Sequence, residues 1–82
     1  MNMALNKINL KKILARVFGV PENAIKDDSS PDSIDSWDSF QSLIMFQTIE
    51  QESGADFDVE DLKNIKDVGD IKKLLDKYKI NY

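Results

Sequence analysis

The chain has neither histidine nor cysteine among its 82 residues. Without cysteine there are no disulfides, no thiolate metal ligands and no thiol chemistry from the polypeptide itself. Without histidine the usual serine–imidazole triad is impossible, although a lysine base for a nucleophilic serine stays formally open. Glycine is scarce, with three residues, and neither glycine-rich nucleotide fingerprint is present. No apolar run approaches the roughly 18 residues that span a bilayer. The stretch Met1-Asn2-Met3-Ala4-Leu5 has no long apolar segment and no cleavage signature, so no signal peptide is expected and the expected location is the cytoplasm.

What is present is an ordinary globular mixture. Hydrophobic residues make up 41% and charged residues 32%, enough for one small domain over residues 1–82 with a single core. The net charge of −4 hides strong segregation. Residues 1–20 carry +4, from Lys7, Lys11, Lys12 and Arg16. Residues 21–61 set twelve acids against Lys26, for −11, and residues 62–82 set six lysines against three aspartates, for +3. An acidic centre suits basic protein partners and disfavours nucleic acid, although acids also collect in loops and caps simply for solubility.

The apolar spacing predicts an all-α fold, a small four-helix bundle with three longer helices and one short one. Leu10, Ile13, Leu14, Val17 and Phe18 form one helical stripe. That helix is expected to run from about residue 6 to Phe18 and to stop at Gly19 before Pro21. Residues 19–38 form a long acidic connection anchored by Ile25, Ile34 and Trp37. Asp38 reads as the N-cap of a second helix, with Gln41 completing a capping-box pattern. This helix carries Phe40, Leu43, Ile44, Met45, Phe46 and Ile49 and ends near Ser53-Gly54. Its run from Leu43 to Phe46 covers more than one face, which makes it either the central helix or one that shows a partner an apolar patch; the central position is the expectation. Asp58 caps a short helix with Leu62 and Ile65 inward, and Asp67 caps a last helix striped by Val68, Ile71, Leu74, Leu75 and Tyr78.

Few chemistries fit. A calcium loop starting at Asp27 would put Pro31 at a ligand position, Asp32 where the turn glycine belongs and Asp38 where a bidentate glutamate is needed. The pairs Asp27/Asp28 and Asp35/Asp38 lie in a polar loop where nothing tunes them for acid–base work. Ser39, taken alone, is ordinary helix-start chemistry. The order of elements gives it another meaning: helix, long acidic loop, Asp38-Ser39-Phe40, apolar helix, short helix, final helix.

That order resembles the acyl carrier protein family over nearly the whole chain, from Leu10-Lys11-Lys12-Ile13-Leu14 and Phe18-Gly19-Val20 through Asp38-Ser39-Phe40 to the last helix. The family motif is Asp-Ser-Leu, and Phe40 stands here where leucine is usual. The resemblance implies a carrier without catalytic activity of its own. Ser39 would receive 4′-phosphopantetheine from coenzyme A by a phosphopantetheinyl transferase, and the arm's thiol would hold acyl groups as thioesters. Asp38 and Phe40 would be recognised by the transferase, Asp38 also in relation to its Mg²⁺. Acyl-loading and acyl-processing enzymes would be the further partners of a monomeric protein that binds neither nucleic acid nor membrane. The helix start independently suits a phosphodiester, because it presents free N–H groups and partial positive charge.

The chain departs from the fatty-acid pattern just beyond the serine. Gln41, Ser42 and Ile44 stand at or near positions where acids are expected, and Glu50 and Glu52 alone keep the charge. Trp37 before Asp38-Ser39 is more like carriers of specialised pathways. Gln41, a partly exposed Ile44 and Glu50 are therefore the expected partner contacts, with Phe40 as a packing anchor. Two alternatives stay open: an aminoacyl or peptidyl carrier of a nonribosomal or surface-polymer pathway, and a small helical protein-interaction module in which Ser39 is only a cap.

Overall fold

The computed structural model describes residues 7–82. Four α-helices form a small bundle: α1 (Leu10–Phe18), α2 (Ser39–Ser53), the five-residue α3 (Val59–Lys63) and α4 (Val68–Lys77). A long loop containing a 3-10 turn at Glu22–Ala24 joins α1 to α2, as the sequence predicts.

Helix ends follow local chemistry. The first helix starts at Leu10, later than expected, because the Asn9 side chain accepts the Lys12 N–H and caps it there. Lys7 and Ile8 instead run alongside the other end of the chain: Lys7 bridges to Asn81, and the Ile8 N–H donates to the Asn81 carbonyl at 2.9 Å. The proposed start at residue 6 lies outside the described residues. Gly19 (φ 68°) and Gly54 (φ 81°) close α1 and α2 in the left-handed conformation that glycine adopts without a Cβ penalty. Asp67 caps α4 by accepting the Asp70 N–H at 2.8 Å.

The core is built from the predicted stripes. Ile13, Leu14, Met45, Ile49, Val68, Ile71 and Leu75 are fully buried. Ile25, Ile34 and Trp37 pin the long loop onto them, so the connection is ordered by apolar anchors rather than by proline alone. Two backbone bonds add to this: the Val68 and Gly69 N–H groups donate to the Ser29 and Asp27 carbonyls at 3.0 and 2.8 Å.

The second helix is not buried all round. Its inner face is Met45, Phe46, Ile49 and Ser53, while Phe40 is 69% and Leu43 52% exposed. At about 100° per residue Phe40 sits opposite Ile49, and Ile49 is where the neighbouring elements lie. The expected central position and the packing role of Phe40 are therefore both corrected. No helix of the described residues is long and apolar enough to cross a membrane.

Candidate functional site

Ser39 is the first residue of α2 and is exposed. Its hydroxyl makes no hydrogen bond among the described residues, so the side chain is free at the surface. Asp38 ends the loop in an extended conformation and accepts the Gln41 N–H at 2.8 Å. That bond satisfies one of the unpaired donors of the first turn. The reciprocal half of a capping box does not form: the Asp38 N–H goes to the Ser36 carbonyl, and the Gln41 side chain points elsewhere.

The position of the helix start is set by a clasp to α1. The Ser36 hydroxyl donates to the Phe18 carbonyl at 2.6 Å, and the Gln41 side-chain amide donates to the Val17 carbonyl at 2.9 Å. These two carbonyls lie in the last turn of α1, where no further helical N–H exists to take them. Between them, Trp37 stacks on Phe18 with ring centroids 4.9 Å apart and 22° between the ring planes. Its indole N–H donates to the Ser42 hydroxyl at 2.8 Å. Residues 36, 37, 41 and 42 thus hold both flanks of Ser39 and leave the serine itself outward.

This arrangement redistributes the expected roles. Gln41 is half-buried and its amide donates to the Val17 carbonyl of α1. Glu50 is likewise half-buried and accepts the Phe57 N–H at 2.8 Å, a bond that ties it to the turn after α2. Ile44 is half-buried. The exposed apolar side chains near Ser39 are Phe40 and Leu43, one turn apart on the same side of α2. Leu43 had no assigned role from the sequence; the signal that finds it is its spacing of three from Phe40, on the side away from Met45 and Ile49.

An open groove of about 580 Å³ runs between the end of α1 and the loop, floored by Phe18 and Ile34 and edged by Asp28, Asp35 and Ser36. Ser36 places it three residues before Ser39. No group of three or more acidic side chains converges as a metal site among the described residues. No protein-family model and no curated protein matches the chain.

A second polar cluster lies away from Ser39. Asp61 of α3 accepts the Lys77 ammonium at 2.6 Å and the Tyr78 hydroxyl at 2.5 Å. Lys77 and Tyr78 hold the Asp61 carboxyl below its ordinary range. The same contacts push Lys77 and Tyr78 upward, with burial adding to the shift at Tyr78. α3 has no fully buried residue of its own; it meets the bundle through this cluster and the half-buried Leu62 and Ile65, with Phe57 buried just before it.

Proposed function

We propose that the protein is an acyl carrier, with Ser39 as the attachment point of 4′-phosphopantetheine, serving fatty-acid, polyketide or related specialised biosynthesis. The observation that carries this is the free, exposed Ser39 hydroxyl at the first turn of a fifteen-residue helix, in a chain without histidine. A serine with no imidazole beside it is poorly equipped to attack and well placed to be modified.

The residues present fit such a group. The start of α2 offers partial positive charge to a phosphodiester, and the clasp to α1 keeps that start rigid. In the modification, Ser39 Oγ forms a bond to the phosphorus of coenzyme A whose pyrophosphate bond breaks. The nucleotide half leaves as adenosine bisphosphate, and the hydroxyl proton passes to the transferase. Asp38 stays occupied with the Gln41 N–H and holds the turn in shape for that exchange. Once bound, the arm supplies the thiol that the polypeptide lacks, so that acyl groups travel as thioesters. Phe40 and Leu43 give partner enzymes an apolar contact beside the serine.

The test is intact mass after incubation with coenzyme A, Mg²⁺ and a broad-specificity phosphopantetheinyl transferase. One added phosphopantetheine group, absent from Ser39→Ala, is expected; no gain with several transferases overturns the proposal. The exposure of Phe40 and Leu43 favours a second reading, a helical protein-interaction module with Ser39 only at a helix start. That reading predicts partner binding by the unmodified protein that Ser39→Ala leaves intact.

A further inference from the structure

A second concave feature lies at the far end of α1 from Ser39. A cavity of about 320 Å³ opens between the start of α1, residues 25–27, the start of α4 and Tyr82. Its floor is apolar, made by the buried Leu10, Ile25 and Val68. Its rim is basic: Lys11, Lys26 and Lys72 line it against the single acid Asp27.

The charges are not all internally matched. Lys72 donates to Asp27 at 2.6 Å and lies 5.8 Å from the centre of the Tyr82 ring. Lys11 and Lys26 are exposed and make no ion pair among the described residues. The lining therefore includes two exposed lysines that make no ion pair among the described residues, beside an apolar floor. The starts of α1 and α4 add partial charge of the same sign. Their N–H groups are largely used, however: Asn9 takes that of Lys12, and the Ser29 and Asp27 carbonyls take those of Val68 and Gly69. Recognition at this cavity falls to the lysines. The volume is at the lower end of the range of about 300–1,000 Å³ usual for small-molecule sites.

We propose that this cavity binds a small organic anion: an apolar body resting on Leu10, Ile25, Val68 and the Tyr82 ring, and a carboxylate or phosphate held by Lys11 and Lys26. The site is separate from Ser39. The nine residues of α1 span about 13 Å, and the clasp with Ser36 and Gln41 is at the opposite end. Failure of the carrier assignment leaves this inference standing, and the reverse also holds.

The test follows amide chemical shifts of the full chain during titration with phenyl phosphate and with benzoate. Saturable shifts confined to residues around Leu10, Ile25–Asp27, Val68 and Tyr82 are expected, with the same affinity in Ser39→Ala. Benzylamine, of the same shape and opposite charge, should cause none, and inorganic phosphate should bind at least about tenfold more weakly for lack of an apolar body. Lys26→Glu and Lys11→Glu should each raise Kd about tenfold. Because both side chains are exposed, the folded spectrum should persist; Lys26→Gln gives a smaller loss without introducing repulsion. Absence of saturable shifts at millimolar ligand, equal binding of benzylamine or inorganic phosphate, or unchanged affinity in both reversals overturns the proposal.

Discussion

At Ser39 the protein separates two properties that a helix start usually combines. Asp38 does the capping and the serine beside it is left free. The two side chains should therefore respond differently to truncation. Asp38→Ala is expected to cost about 1 kcal/mol, read as a lower midpoint in urea unfolding. Ser39→Ala should stay within about 0.5 kcal/mol of the parent, so its loss of modification would report chemistry and not folding. Phe40 invites a similar comparison with Ile49. With Phe40 69% and Ile49 0% exposed, Phe40→Ser should change stability by under about 0.5 kcal/mol while Ile49→Ala costs about 2–5 kcal/mol. If Phe40 and Leu43 meet partner enzymes, Phe40→Ser lowers turnover with those enzymes at unchanged thermal stability.

Among the elements, α3 is the one whose contacts with the bundle join a titratable cluster, Asp61 with Lys77 and Tyr78, to the half-buried Leu62 and Ile65. The Asp61 carboxyl is lowered by Lys77 and Tyr78, so the folded form favours its ionised state. Its contribution is present above the ordinary value of 3.8 and is lost as pH falls through the depressed folded value. Protection factors in Val59–Lys63, referred to the intrinsic exchange rate at each pH, should therefore fall in acid before the rest of the bundle opens, and Asp61→Asn should lower them in the same way at neutral pH. Protection in α3 unchanged by both would mean that Leu62 and Ile65 suffice. Legibility from the sequence also varied by element. Caps and stops are local chemistry, so Asp38, Asp67, Gly19 and Gly54 were readable with no knowledge of neighbours. The α1 and α4 stripes were readable because each has one apolar side. In α2 the run Leu43 to Phe46 touches several sides, and which is buried depends on where α1 and α4 lie. The clasp was hidden for the same reason: Ser36, Trp37, Gln41 and Ser42 find their partners only once α1 has docked. Glu50 likewise shows its bond to Phe57 only when the chain turns after Gly54.

Over the whole molecule, the two ends of the described chain support each other. Ile8 and Ile80 are both buried, and the Ile80 N–H returns to the Leu75 carbonyl at 2.9 Å. Ile80→Ala is expected to cost about 2–4 kcal/mol in global unfolding, more than a surface residue past the last helix would. Lys79, at φ 60°, is the one non-glycine residue in the left-handed region among those described. Lys79→Gly should relieve strain at this helix stop and stabilise by up to about 1 kcal/mol, read as a rise in Tm. The stacked Trp37 has a practical meaning as well. It is the only tryptophan in the chain, and it lies against Phe18 within the clasp that seats the start of α2. Its fluorescence is thus an intrinsic optical gauge of whether the segment bearing Ser39 is in place, readable without a label while salt, denaturant or an enzyme is added.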